Sequence, residues 1–260
     1  MCLFHLYLGE IKNMEQLNTN YIELAKNDKD MSQMNIPLIS RPTAVVYSGI
    51  SEIDELIGGL HAGQLTAFIG KSSLLSTLLN RICFNTFDMF HSPTVVLDAG
   101  NRLNPFMLAR FARMNMISEK ELLKQVYLSR ACTVYQLTDL LESHVQSLVQ
   151  RIRPVTVVLT GLFSLLDDAS VSHEERTQLL QLIMRQMRAL AETYHVAMVL
   201  IDTSADGYDS ILFDSLVNTT VQVQDMSHCP RITVTQNNAQ VTVTSETVGQ
   251  LCLQDFGMVI

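Results

Sequence analysis

The residues with the clearest potential for chemistry form one short string, Gly70-Lys71-Ser72-Ser73. It follows a strand-like apolar run, QLTAFIG, and opens a segment with apolar residues at helical spacing, SSLLSTLLNRICFNTF. A glycine, a lysine and hydroxyls at a strand-to-helix junction can bind phosphate through backbone N–H groups, the lysine charge and a hydroxyl contact to a metal ion. The string therefore predicts a position for a nucleotide.

The spacing around this string departs from that of a complete phosphate loop. The full pattern is G-x-x-x-x-G-K-[ST]. If Gly70 is its second glycine, the first falls at Leu65, inside the apolar strand. If Gly70 is its first glycine, the body of the loop is missing before Lys71. Neither alignment gives a loop that can wrap a triphosphate.

Other patterns of catalytic residues are absent from the sequence. His173-Glu174-Glu175 lacks the second histidine of a zinc protease helix, and there is no G-x-S-x-G nucleophile motif. The five cysteines contain no CxxC pair, which favours reduced thiols over disulfides or a metal site. We therefore expect neither a metal site nor a hydrolase site.

The composition is that of a globular protein with an acidic balance. Of its 260 residues, 47% are hydrophobic and 17% charged, and the formal net charge is −8. This balance gives no support to a surface that binds nucleic acid mainly through phosphates. The sequence shows no signal peptide and no apolar run of about 18 residues. A cytoplasmic location is expected, or a nuclear one in a eukaryote.

The order of elements predicts an α/β fold. Residues 1–40 are polar and weakly patterned and are interpreted as an N-terminal extension, and residues 41–260 as one core domain. Within the core, continuous apolar strands alternate with helical segments, which is typical of a parallel sheet covered on both faces. The last segments, TVQVQD, RITVTQN and AQVTVTSE, alternate apolar with polar residues and predict antiparallel strands. The expected fold is a doubly wound, mostly parallel sheet with C-terminal antiparallel strands.

Several phrases, taken in order, resemble the RecA superfamily, and most closely the archaeal RadA and RadB proteins and the eukaryotic recombinase paralogues. KaiC-like proteins share the same core. The resemblance covers about residues 44–250, and its phrases are SGISEIDELIGGLHAGQLTAFIG, LDAGNRLNP, LSRACTVYQL and HEERTQLL followed by LAETYHVAMVLIDTS. It implies a RecA-like P-loop NTPase core. In that family the first glycine of the phosphate loop lies seven residues after a turn glycine, the spacing that Gly63 and Gly70 keep here.

The same resemblance implies that the nucleotide site is degenerate. The Walker B strand, which normally ends in the aspartate that orders Mg²⁺, ends here in Thr160. Gly100 stands at the position of the catalytic glutamate, and Asp202-Thr203 replace the polar pair with glutamine that senses the γ-phosphate. The resemblance therefore predicts no catalytic residue, and Gly70, Lys71, Ser72 and Ser73 as the remnant of a nucleotide-binding loop. ATP and Mg²⁺ are expected only if this remnant still binds.

The two DNA-binding loops of the family map near residues 165–176 and 204–212. Both are poor in basic residues and carry several acidic ones. Arg176 and the aromatic Tyr208 are their best candidates for contact with DNA. We expect weak direct binding, with any single-stranded DNA engaged indirectly.

The expected function is that of a recombinase paralogue acting as an accessory or mediator in homologous recombination and DNA repair. Such a pseudo-ATPase would dock on a recombinase or on another paralogue subunit. The alternatives are a DNA-dependent ATPase with an atypical nucleotide site and a KaiC-like signalling scaffold. Fold resemblance alone does not choose among them.

Overall fold

Buried apolar runs form the strands of the core, as expected. The computed structural model describes residues 44–203, 210–225, 230–236 and 239–244. The predicted N-terminal extension and Tyr208 lie outside these residues, so both remain predictions. In the four central strands LTAFI, TVVLD, TVVLT and AMVLID every residue is buried.

The described strands form an eight-stranded sheet and a small two-stranded one. The large sheet has the order β10-β9-β8-β3-β7-β6-β4-β5, and β1 pairs with β2. The strands are β1 Val45–Val46, β2 Leu60–His61, β3 Leu65–Ile69, β4 Thr94–Asp98, β5 Val126–Ser129, β6 Thr156–Thr160, β7 Ala197–Asp202, β8 Thr219–Asp225, β9 Pro230–Gln236 and β10 Ala239–Thr244.

The direction of the strands confirms the mostly parallel sheet with an antiparallel end. Strands β3 to β8 run parallel, and β9 and β10 add antiparallel partners beyond β8. The carboxyl ends of β3, β4, β6 and β7 therefore lie along one edge. This is the edge where ligands bind in open α/β sheets.

Helices cover both faces of the sheet. They are α1 Ser51–Ile57, α2 Ser73–Phe90, α3 Pro105–Met114, α4 Glu119–Lys124, α5 Val134–Asp139, α6 Gln146–Ile152, α7 Leu162–Leu166, α8 His173–Tyr194 and α9 Ser210–Leu216. A π-helical segment, Leu140–Val145, joins α5 to α6.

Two apolar clusters lie on opposite faces of the sheet. One packs α1 to α4 against side chains such as Phe68 and Val96, and the other packs α5 to α9 against their strand neighbours Ala67 and Leu97. Neighbouring residues of one strand point to opposite faces, so the central strands are buried on both faces, as their continuous apolar sequences predicted. In the described part of the chain, no helix combines the length and the apolarity needed to cross a bilayer.

Two local predictions were wrong at the ends of elements. The apolar run VTVVLTGLFSLL was expected to be one strand, but the strand stops at Thr160 and α7 follows. Gly161 adopts the left-handed conformation there, with φ +76°, and an apolar run cannot by itself distinguish strand from helix. Ser51 was expected to cap α1, but Ile50 holds the cap position without a side-chain bond.

Candidate nucleotide site

The junction between β3 and α2 contains three residues, Gly70, Lys71 and Ser72, because β3 ends at Ile69 and α2 begins at Ser73. A complete phosphate loop needs several residues more to curl around a phosphate. The structure therefore brings the predicted residues together in sequence order, on a connection too short to form that cradle. Lys71 is exposed at its middle, and the side chain of Ser73 lies outside the described part.

The space above Gly70 is filled by the backbone of the neighbouring strand. Gly70 has φ +148°, and a Cβ atom added to it would lie 1.9 Å from the carbonyl oxygen of Val223 in β8. The N–H group of Gly70 donates to the carbonyl oxygen of Asp202 at 3.1 Å. Glycine is required at position 70 because the backbone of β8 occupies the place where a side chain would begin.

Ser72 closes the start of α2. Its backbone is extended, and its hydroxyl accepts a hydrogen bond from the N–H group of Leu74 at 3.2 Å, which is the geometry of an N-terminal cap. The same hydroxyl donates to Oδ1 of Asp225, at the end of β8, over 2.6 Å. A carboxylate of the chain itself therefore stands at the positive end of α2, where a bound anion would be favoured.

Thr160, at the position that the resemblance gives to the Walker B aspartate, is fully buried and hydrogen-bonded to an aspartate. Its hydroxyl donates to Oδ1 of Asp98 at 2.7 Å. Asp98 is also buried and accepts the N–H groups of Arg102 and Leu103. Its carboxylate thus holds the turn after β4 in place. The pair forms a structural link between the ends of β4 and β6.

Gly100 and Gly161 touch where the turns after β4 and β6 meet. A Cβ atom on Gly161 would lie 2.3 Å from the backbone nitrogen of Gly100, and one on Gly100 would lie 3.3 Å from Cα of Gly161. The position that the resemblance gives to a catalytic glutamate is therefore a backbone contact. The backbone contact requires glycine at 161, whereas at 100 the space for a side chain is merely tight.

Asp202 caps a helix at the position expected for the sensor. It is 1% exposed, and its two carboxylate oxygens accept the N–H groups of Phe163, in α7, and of Thr203. Burial raises the pKa of Asp202 above its usual value, although these two hydrogen bonds and the charge of Arg102 oppose the rise. Asp202 and Thr203 thus hold α7 and the end of β7.

Arg102 is a residue of the site that the sequence analysis did not single out for it. Its Nε lies 3.1 Å from the ideal Cβ position of Gly100, and its charge acts on Asp202. This Nε is buried and makes no hydrogen bond within the described residues. Arg102 lies within the phrase LDAGNRLNP, directly after Asn101, and this place in the phrase is what marks it in the sequence.

The segment near 165–176, expected as a DNA loop, is folded on itself. Arg176 lies in α8, where its guanidinium contacts Oδ1 of Asp167 at 3.4 Å and the carbonyl oxygen of Val171 at 3.3 Å. Asp168 accepts both the N–H and the hydroxyl of Ser170, and these bonds lower the pKa of Asp168. The candidate Arg176 is therefore engaged within the protein.

The residues at this edge do not fit Mg²⁺-bound ATP. The connection after Gly70 is too short, the end of α2 faces Asp225, and the carboxylates of Asp98 and Asp202 are used in hydrogen bonds to backbone. A metal-bound triphosphate needs free N–H groups and an available carboxylate. These hydrogen bonds instead connect the ends of four strands of the sheet.

The sequence was compared with models of protein families and with characterised proteins, and neither comparison finds a match.

Proposed function

We propose that this chain is a RecA-like recombinase paralogue whose nucleotide site has become structural. It serves as an accessory or mediator of homologous recombination and DNA repair. In this role it docks on a recombinase or on another paralogue subunit. The order of the phrases between residues 44 and 250 supports the family, and the mostly parallel sheet with an antiparallel end is the architecture that this family implies.

One observation supports the loss of ATP binding and hydrolysis. The connection between Ile69 and Ser73 has three residues, the backbone of Val223 covers it, and its Ser72 is hydrogen-bonded to Asp225. Substitutions at Gly100 and Thr160 alone would leave a cradle that binds nucleotide without hydrolysing it. A shortened connection removes the cradle itself. The proposed role therefore depends on surfaces that dock on a partner protein and not on ATP hydrolysis.

Subunits of the RecA type stack with the nucleotide site at the interface between neighbours. A subunit without that site retains the opposite face of the core for docking. Such a subunit would end or start a filament, because it offers one functional interface in place of two. This follows from family architecture and is part of the proposal.

The first experiment measures thermal unfolding with and without Mg-ATP. A ligand present at one hundred times its dissociation constant adds about 2.7 kcal/mol, which for a chain of this size raises Tm by about 5–10 °C. We expect no rise. A rise that disappears in Lys71→Ala would show that the remnant binds nucleotide, and would favour the atypical ATPase.

The second experiment tests docking. The full chain, expressed with the recombinase and the paralogues of its own organism, is expected to co-purify with one of them and to change filament length on single-stranded DNA. An unrelated protein with a parallel α/β sheet serves as the control bait. A chain that remains alone and leaves filaments unchanged would contradict the proposed function.

A further inference from the structure

The turn between α3 and α4 places a methionine where helices usually end in glycine. The N–H group of Met116 donates to the carbonyl oxygen of Arg113 at 3.1 Å. The N–H group of Ile117 donates to that of Ala112 at 2.9 Å, and the two bonds together form a Schellman motif. Met116 adopts the left-handed conformation, with φ +58°, which is strained for a residue with a side chain.

The side chain of Met116 does not pack on the protein. The residue is 97% exposed, whereas its neighbour Ile117 packs against the apolar core. Glycine would therefore serve this turn at least as well as methionine. A strained residue that displays an apolar side chain to solvent points to a role in binding.

Exposed apolar residues are concentrated around this turn. Ten large apolar residues are exposed in the described part of the chain, and four of them lie on α3, on α4 or between them, namely Phe106, Met114, Met116 and Leu123. Phe106 shares one face of α3 with Arg110 and Arg113, because they follow one another at helical spacing. The opposite face of α3 is buried through Leu108, Ala109 and Ala112.

The same surface is positively charged in an acidic chain. Residues 99–118 contain three arginines and no aspartate or glutamate, although the formal net charge of the chain is −8. The first turn of α3 also carries no acid, where one would stabilise the helix. On α4, Lys120 and Lys124 are exposed, and Glu119 is paired with Arg113 at 3.4 Å, which joins the two helices.

We propose that the exposed surface of α3, α4 and their turn binds an acidic amphipathic segment of a partner protein. This inference rests on the proposed function, for which it names the docking surface. Met116 and Phe106 contact the apolar side chains of the segment, and Arg113 and Lys120 attract its carboxylates. Methionine suits this task because its unbranched side chain adapts to the shape of a partner.

The charge of the whole chain favours a protein segment over a membrane. An anionic bilayer is wider than this surface, so its lipids would also meet the acidic remainder of the chain. A short segment contacts only the locally positive surface. Charge complementarity therefore selects an acidic segment as the occupant.

The test measures binding of a synthetic peptide to the full chain by fluorescence anisotropy. The peptide has about 18 residues, with leucines at helical spacing and glutamates on the opposite face. One control peptide has the same composition in scrambled order, and another has lysine in place of glutamate. We expect the acidic amphipathic peptide to bind about tenfold more tightly than either control.

Met116→Gly separates binding from stability. It should weaken binding of the acidic peptide about fivefold, because an exposed apolar contact is lost. Its Tm should stay within about 2 °C of the wild type or rise, because glycine accepts the left-handed φ. A residue with only a structural role would give the opposite result, namely a lower Tm with unchanged binding.

Two further variants test the apolar and the charged contacts. Phe106→Ala should weaken binding about fivefold. Lys120→Glu should do the same, with a larger effect at low salt. The matched controls are Leu182→Ala and Arg185→Glu, which alter an exposed leucine and an exposed arginine of α8, on the other face of the sheet. Both should bind the peptide like the wild type.

The inference is overturned if the acidic peptide binds no better than its scrambled form, or if Met116→Gly and Phe106→Ala bind it like the wild type. It is also overturned if these two variants instead abolish binding to phosphatidylserine vesicles or to a single-stranded oligonucleotide. Self-association in sedimentation velocity that the same variants abolish would replace the partner by a second copy of the chain.

The peptide experiment does not require a recombinase. Co-purification with a recombinase without peptide binding would overturn this surface and leave the proposed function in place. Peptide binding without co-purification would support the surface and contradict that function. The two failures are therefore distinguishable.

Discussion

At the scale of single residues, the site is built from acids whose oxygens are already used. Asp98 accepts the hydroxyl of Thr160 and two backbone N–H groups. A neutral donor suits this buried carboxylate, because a second carboxylate at 160 would face it at close range. The hydroxyl of Thr160 is therefore a suitable donor for Asp98. Replacing Thr160 by aspartate tests whether this position can act as a metal ligand.

Removing the hydroxyl in Thr160→Val should lower the free energy of unfolding by about 1–3 kcal/mol, since a buried acceptor loses a donor. Thr160→Asp should cost more, because it would bury a second carboxyl group directly beside that of Asp98 and remove the hydroxyl donor. It should also produce no Mg²⁺-dependent ATP hydrolysis. Urea unfolding at neutral pH measures the first effect and phosphate release the second.

Thr156→Val is the control for this pair. Thr156 is buried in the same strand, but its hydroxyl meets that of Thr86 at 3.0 Å and no carboxylate. Thr156→Val should lower the free energy of unfolding by less than Thr160→Val does. Equal losses in the two variants, or ATP hydrolysis by Thr160→Asp, would contradict the structural role of Thr160.

At the scale of elements, the turns after β4 and β6 act as one unit. Gly100 and Gly161 are in backbone contact, and Asp98 and Thr160 join the strands just before them. Asp202, at the end of the neighbouring strand β7, accepts a hydrogen bond from Phe163 and so connects the start of α7 to this unit. The ends of β4, β6 and β7 are thus connected through short hydrogen bonds at this edge of the sheet.

Gly161→Ala should be strongly destabilising, by about 2–4 kcal/mol, because the added Cβ meets backbone and the left-handed φ is strained as well. Gly58→Ala separates the two causes. Gly58 has a similar φ of +69°, but its added Cβ would meet only His61 at 3.6 Å, so it should cost about 1 kcal/mol. Urea unfolding of both variants measures the difference. Similar losses would mean that the contact with Gly100 contributes little.

The sequence predicts the elements of this edge better than its contacts. The buried strands and the left-handed end of α1 at Gly58 follow from local composition and are confirmed. Nothing near Thr160 indicates that its partner is Asp98, and nothing near Ser72 indicates Asp225. These pairs depend on the order of strands in the sheet, which brings distant residues together. The start of α7 was missed because the turn at Gly161 divides an apolar run that looks uniform.

At the scale of the whole molecule, charge limits what the chain can bind. The formal net charge is −8, and the described part of the expected DNA loop near 165–176 exposes Asp167 and Asp168 while Arg176 is engaged internally. Binding to a nucleic acid backbone requires several free cations on one surface. The segment near 165–176 therefore offers little to a phosphate backbone.

We expect weak binding to a single-stranded oligonucleotide, with a slope of log K against log salt shallower than about −2, since each phosphate contact contributes about −0.7. Fluorescence anisotropy at several salt concentrations measures this slope. Arg176→Ala should leave it unchanged. A steeper slope would reveal a phosphate-binding surface and favour a direct role at DNA. So would a slope that becomes shallower in Arg176→Ala than in the wild type.

The carbonyl of Val223 over Gly70 also limits how such a chain can evolve. Point substitutions could place an aspartate at 160 or a glutamate at 100, yet neither would make room above Gly70, where a strand already lies. Recovering a nucleotide cradle would need an insertion before Lys71 and, in the same step, a displacement of β8 and the removal of Asp225. Each of these changes alone disturbs the fold without restoring binding. Under the proposed function, point substitutions alone would therefore not give this chain a nucleotide site.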